Sequence, residues 1–393
     1  MKFEKWGRNS DRLESIDALR GVAIVLMVLD HTRHFFTNTR LEHFSSDLSQ
    51  IPVALFFVRW LTHFCAPIFI LLAGISALLL LKKKNDNNIG KTSKYLLLRG
   101  LWLIIIELTL VRLAWMFNFD NSVLFGRVLW AIGWSFIFLS PLIYLSPNMV
   151  GIIGAVIILT HNLFDTLPTS SWGSLTWLWK ILHVSQGFEI SEGYYFLVIY
   201  PLIPWVGVMA LGYGIGHVFL KPNQQMRKIL GLGGLSLFCG FIILRFINLY
   251  GDPMRWSPQP TALQTFMSFI QLEKYPASLL FLMLTLGIPL VFFPYLEKIP
   301  DRVRKVFVTF GRVPLFFYCT HLFFIHGLAV TVAYVQKLNI DFLFENKPPW
   351  MWPENWGFSF PIIYLIWLVV VAVFYPICFG YTKLLEPASK TEI

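Results

Sequence analysis

Apolar residues fall in ten runs, each long enough to cross a bilayer core of about 30 Å as a helix. They lie near 15–37, 52–81, 95–117, 124–145, 148–167, 193–219, 229–250, 275–296, 306–334 and 357–382. The pattern predicts an all-α polytopic membrane protein, a bundle of about ten transmembrane helices. No internal repeat stands out, and no loop is long enough for a soluble domain.

The first run, SIDALRGVAIVLMVLDHTRHFF, is unlike the rest because it carries Asp17, Arg20, Asp30, His31, Arg33 and His34. An ionisable group at membrane depth costs about 2.5–3.5 kcal/mol on insertion scales, so such groups mark functional cavities by default. Arg20 and His31 are eleven residues apart, about 16 Å along a helix and close to three full turns. Both side chains therefore share a face. That geometry suits a long ligand with an anionic head near Arg20 and a reactive end near His31, where the imidazole acts as general base or acid. The competing reading is a packing histidine bonded to a neighbour's backbone; the Arg20 register favours function. Asp30 and His34, four apart, can bond on a neighbouring face.

Loop charges set the orientation. Lys2, Lys5, Arg8 and Arg12 precede the first run, and Lys82, Lys83, Lys84, Lys91 and Lys94 follow the second. Lys221, Arg227 and Lys228 follow the sixth, Lys298, Arg302, Arg304 and Lys305 the eighth, and Lys383 and Lys390 the tenth. Ten spans put all of them on one side, the cytoplasm, with both termini there. The expected organisation is a cytoplasmic segment 1–14, a membrane domain 15–382 and a cytoplasmic tail 383–393. On the opposite side, 168–192, 251–274 and 336–356 read as interfacial half-helices or lids, although most of their aromatics suit the headgroup level equally well.

Composition agrees. Of 393 residues, 56% are hydrophobic, 17% aromatic and only 14% charged, and the mean hydropathy is +0.62. The net charge of +10 follows from the basic loops rather than from nucleic-acid binding. Cys65, Cys239, Cys319 and Cys378 sit in apolar runs without metal-ligand spacing, so neither a disulfide framework nor a metal site is expected. The N-terminal segment does not read as a cleavable signal peptide.

Other runs add polar groups. Arg59 and His63 lie one turn apart in the second, ahead of Pro67 and Gly74. Arg99, Glu107 and Arg112 are in the third, where Glu107 is expected to pair with Arg112 or with a base on another helix. The fifth ends in HNLFD, giving His161, Asn162 and Asp165, and the ninth holds Arg312, His321 and His326. His217 reads as structural. No serine elbow, HExxH or phosphate-binding loop is present.

These residues carry a resemblance. The first run, with DALRG and His31, resembles the R-x10-H signature of membrane acyltransferases of the acyltransferase-3 type. The closer likeness is to the bacterial branch of the heparan-α-glucosaminide N-acetyltransferase catalytic-domain family. It rests on IDALRG…LDH, RWLTHFCAPIF…LAG, LRGLWLIIIELT, LWAIGWS, HNLFD, YPLIPWVGVMALGYG, KYPASLLFL and GRVPLFFYCTHLFFIH, which span nearly the whole chain. The resemblance implies an enzyme of a bacterial plasma (inner) membrane that takes an acyl group, usually acetyl, from acyl-CoA on the cytoplasmic side. The group passes to an amine or hydroxyl of a glycan or similar acceptor on the other face, with no permanently bound cofactor. It makes His31 the catalytic histidine and Arg20 part of donor recognition. In the eukaryotic lysosomal branch the active histidine lies beyond the first span, which makes His43, in RLEHFSSD, the rival.

In chemical terms the expectation is acyl transfer, direct or through an acyl-histidine. Asn162, His63 or His321 would supply donors to the tetrahedral oxyanion, and Arg20, Arg99 and Lys82–Lys84 would hold the CoA phosphates. The loops around His183 and Trp256 would select the acceptor. The alternative from another class is a transporter or flippase that uses the same intramembrane charges as a solute or proton path.

Overall fold

A computed structural model describes residues 4–39, 48–83 and 88–385. Helices cover nearly all the apolar runs. In chain order they are α1 (Glu4–Phe36), α2 (Val53–Thr62), α3 (Cys65–Lys83), α4 (Ile89–Ile106), α5 (Arg112–Met116), α6 (Val128–Leu142), α7 (Pro147–Thr160), α8 (Thr176–Leu182) and α9 (Leu202–Ile215). There follow α10 (Asn223–Ile247), α11 (Ala262–Ile270), α12 (Leu279–Phe292), α13 (Asp301–Arg312), α14 (Pro314–Val335) and α15 (Phe360–Leu385). Among the described residues, seven helices are long and apolar enough to cross a membrane.

Three departures from the expected pattern have local causes. The run at 306–334 is broken: Val313 leaves helical geometry before Pro314, which has no N–H to continue a helix and opens α14 instead. Upstream, α13 is short and basic. A π-helical turn, Glu107–Val111, joins α4 to α5. Finally, two runs begin as strands. Strands β1 (Val123–Gly126), β2 (Gly187–Ser191) and β3 (Tyr194–Val198) form a sheet in the order β1-β3-β2, with Leu124 and Phe188 both registered on Phe196. The aromatic and β-branched sequence YYFLV suits a pleated, half-buried surface.

The chain builds two compact units, interleaved in sequence. The first comprises Met1–Cys65, Leu113–Asn118 and Tyr295–Ile393; the second comprises Ala66–Arg112 and Phe119–Pro294. In the first, α1 packs on α13, α14 and α15. Two glycines set the α1–α13 distance: a Cβ on Gly21 would meet the Phe307 backbone, and one on Gly311 the Asp17 backbone. Trp367 donates its indole N–H to the Val25 carbonyl at 2.9 Å, and Trp356 to that of Phe35 at 3.0 Å. The C-terminal end of α1 is thus tied from the side.

In the second unit α4 packs on α6, α7 on α9 and α10 on α12, around Trp205, Tyr213, Phe241 and Phe281. The connection 251–274 is held by one buried cation. Arg245 donates to the carbonyls of Phe269 (2.8 Å), Met254 (2.6 Å), Ser268 (3.0 Å) and Gln271 (2.7 Å), and lies 3.9 Å from the Asp252 carboxylate.

Candidate active site

Within the first unit, Ile24, Val28, His31 and Phe35 recur at three- and four-residue intervals on α1 and are all buried. The same stripe that packs the helix therefore turns His31 inward. There it meets His321 of α14. His31 Nδ1 and His321 Nε2 are 2.7 Å apart, and the rings stack with centroids at 5.0 Å and planes inclined 14°. His321 Nδ1 lies 2.7 Å from the Phe317 carbonyl. A carbonyl only accepts, so Nδ1 of His321 carries the hydrogen, and its Nε2 in the neutral ring is an acceptor. His31 must then donate through Nδ1, which makes Nε2 its basic nitrogen. The sequence Phe317 carbonyl, His321, His31 thus fixes one tautomer of the first-helix histidine, since the bond made by one ring nitrogen sets the state of the other. Trp115, edge-on at 5.0 Å from His31 and 4.7 Å from His34, and Tyr318, at 6.1 Å, border the pair with aromatic surface.

At the other end of α1, Arg20 donates to Asp17 Oδ1 at 2.8 Å and to the Gly311 carbonyl at 3.4 Å. The close α1–α13 approach brings further cations there: Arg304 and Arg312 lie 3.9 and 3.7 Å from Glu14. Arg304 also pairs with Asp301 at 2.7 Å, so the three guanidiniums meet three carboxylates, Glu14, Asp17 and Asp301; guanidiniums of this kind can recognise phosphate bidentately. Arg304 and Arg312 stand far from Arg20 in sequence, so spacing could not group them; only the amphipathic, basic character of α13 hints at it.

The remaining predicted residues are spread over both units. His63, half-buried, caps the C-terminal end of α2 in the first unit, one turn after Arg59. Asn162 belongs to the second, where its carbonyl accepts the Leu279 N–H at 2.8 Å and its amide donates to Asp165 at 2.7 Å. Arg99, also in the second unit, is exposed, bonded to Tyr95 and set over the Phe136 ring. Lys82 is exposed near the end of α3 and Lys83 closes that helix. Lys84 and His43 lie outside the described residues.

One expectation is corrected: the single N–H of the neutral His321 ring is committed to the Phe317 carbonyl, which takes it out of the oxyanion donors. Of the two partners expected for Glu107, the charge beside it is the base from another element, Arg127 ahead of α6, and not Arg112. The Glu107 carboxylate accepts the Leu129 N–H at 3.0 Å and so caps the N-terminal end of α6. The buried His326 joins two segments, lying 3.0 Å from the Ala114 carbonyl and 2.9 Å from that of Leu343. Among the described residues no three His, Cys, Asp or Glu side chains are placed to share a metal ion. Sequence reasoning missed Trp115, which only the fold brings to His31, and the Asp165–His183 pair of the second unit, at 2.9 Å.

No curated protein matches the chain. A family model described as heparan-alpha-glucosaminide N-acetyltransferase, catalytic, matches residues 12–242. The match covers more than half of the chain, includes Arg20 and His31, and ends within α10, ahead of His321. The chain belongs to the heparan-α-glucosaminide N-acetyltransferase catalytic-domain family, and with its long apolar helices it is a membrane acetyltransferase.

Proposed function

We propose that the protein moves an acetyl group from acetyl-CoA, bound at the cytoplasmic side of a bacterial inner membrane, to an amine or hydroxyl of a glycan-like acceptor on the opposite face. His31 is the general base. Its Nε2 takes the proton as the acceptor nitrogen or oxygen attacks the thioester carbonyl carbon. Collapse of the tetrahedral adduct breaks the C–S bond, and the departing thiolate receives the proton from the imidazolium. His321 is a positioning residue: it accepts from His31 Nδ1–H throughout and stabilises the charge that develops on that ring. His63, of the same unit as His31, is the candidate oxyanion donor. Arg20, joined by Arg304 and Arg312, attracts the CoA phosphates.

The observation that carries this reading is the 2.7 Å His31–His321 contact with His321 anchored on a backbone carbonyl. A packing histidine needs one partner; this arrangement orients a ring and fixes which nitrogen is basic. The test is release of CoA thiol by purified protein given acetyl-CoA with and without glucosamine, with mass spectrometry of the sugar. Acetylated sugar equal to the CoA released supports the reading. Protein that neither binds nor turns over acetyl-CoA, yet carries solute across proteoliposomes, would establish the transporter instead.

A further inference from the structure

The second unit contains a polar arrangement that the proposed chemistry does not use. His183, only 2% exposed at the end of α8, sits 2.9 Å from Asp165 Oδ1 through Nε2. Asp165 is itself fixed: its other oxygen accepts from Asn162 at 2.7 Å, and Asn162 is anchored on the Leu279 N–H. A carboxylate at Nε2 keeps the hydrogen of the neutral ring there, which leaves a lone pair on Nδ1. That Nδ1 is buried and has no hydrogen-bond partner in the protein. Neither does the indole Nε1–H of Trp179, 4% exposed, whose ring lies 4.8 Å from that of His183. Trp172 stacks on Trp179 at 4.4 Å with planes inclined 10°, and is only half-buried.

An unmatched acceptor and an unmatched donor on adjacent buried rings call for an explanation, because a native fold rarely leaves such groups unpaired. The chemistry selects the ligand. An anion would meet a lone pair and a carboxylate, both repulsive. An ammonium could donate to Nδ1 but could not accept from the indole. An acyl chain could do neither. A hydroxyl does both, and a ring bearing several hydroxyls also presents C–H faces that pack against indoles. We propose that His183 and Trp179, backed by Asp165 and flanked by Trp172, form a binding site for a saccharide, with His183 Nδ1 accepting from a sugar hydroxyl and Trp179 donating to a sugar oxygen. The inference goes beyond the proposed function by placing a saccharide site within the second unit, and it rests on that reading only for the choice of sugar.

The test is a titration of the full-length protein in nanodiscs with glucosamine, read by saturation-transfer NMR, for wild type, His183→Gln, Trp179→Phe and His31→Ala. Trp179→Phe removes the N–H and keeps an aromatic ring, so it guards against a His183 variant that fails to fold. Saturable binding to wild type and His31→Ala alike, weakened at least tenfold by His183→Gln and by Trp179→Phe, supports the site. Absence of saturable binding to wild type would mean that the two groups serve only an internal water, and binding unchanged in both variants would place the sugar elsewhere; either result overturns the proposal. Unimpaired acetyl transfer by His31→Ala would sink the proposed mechanism while leaving this site standing.

Discussion

The proposed role of His31 draws on two other residues. Arg20 marks the shared face along the helix, and His321 sets the tautomer across the bundle. Replacing His321 with Ala should lower kcat about 10- to 100-fold with little change in KM for acetyl-CoA, since the base loses orientation and not its ring. His321→Gln, whose amide oxygen can accept from His31 Nδ1–H, should restore part of that loss. A structural role alone would instead reduce the amount of folded protein, and equal kcat in both variants would refute the positioning assignment. His31 and Arg20 stand out in the sequence because charge in an apolar run is costly and the helical period is fixed. The His31–His321 contact was not legible, and its direction depends on which nitrogen meets the Phe317 carbonyl. Trp115 was hidden for a simpler reason: indoles abound in this chain, and nothing in the sequence singles out one.

Among the elements, the α1–α13 contact connects packing to chemistry, because it gathers Arg20, Arg304 and Arg312. Gly21→Ala or Gly311→Ala would drive a methyl into the facing backbone, an overpacking that costs about 1–3 kcal/mol or more. The expected result is a lower melting temperature with a raised KM for acetyl-CoA; unchanged melting of both variants would contradict the close approach. Arg245→Met should cost about 3–5 kcal/mol, as it leaves Asp252 buried without its counter-charge and four carbonyls without their donor. Thermal unfolding checks it.

The connection held by Arg245 also predicts a pH dependence. Burial pushes the Asp252 carboxyl up to about 6, against the hydrogen bond from Ser278 and the charge of Arg245. Burial likewise pushes Glu273 up to about 6. A carboxyl that binds its proton more tightly when folded adds stability that is full below the unfolded pKa of about 4. That contribution is lost as pH rises through about 6. Hydrogen exchange in 251–274, corrected for intrinsic rates, should therefore report easier opening as pH climbs from about 4 to about 6, and Asp252→Asn should flatten the change. Opening that grows easier toward low pH would contradict the assignment. Helix content was readable along the chain, but the break at Val313 was obscured by apolar residues on both sides of Pro314, and β3 was absorbed into the run that becomes α9.

For the whole molecule, the arrangement of charge predicts a sidedness that can be tested. Basic residues cluster after alternate runs, which ten spans would place together with both termini in the cytoplasm. Seven helices meet a length-and-apolarity criterion among the described residues. Others that can complete the count are exceptional for visible reasons: α1 is charged, α4 passes through a π turn into α5, and α6 is only 15 residues long. Reporter fusions after Lys91 and at the C-terminus should both report a cytoplasmic location, and opposite locations would remove one span from the count. The family was legible from unusual phrases, whereas the Asp165–His183 pair was not, since its members lie 18 positions apart.

The account turns on His31 as the base. The most direct test compares acetyl transfer from acetyl-CoA to glucosamine by purified wild type, His31→Ala and His43→Ala, with folding checked for each. His31→Ala is predicted to lose about 10²- to 10⁴-fold in kcat, the usual contribution of a general base, while His43→Ala stays within about tenfold of wild type. Transfer that survives in His31→Ala and disappears in His43→Ala would contradict the account.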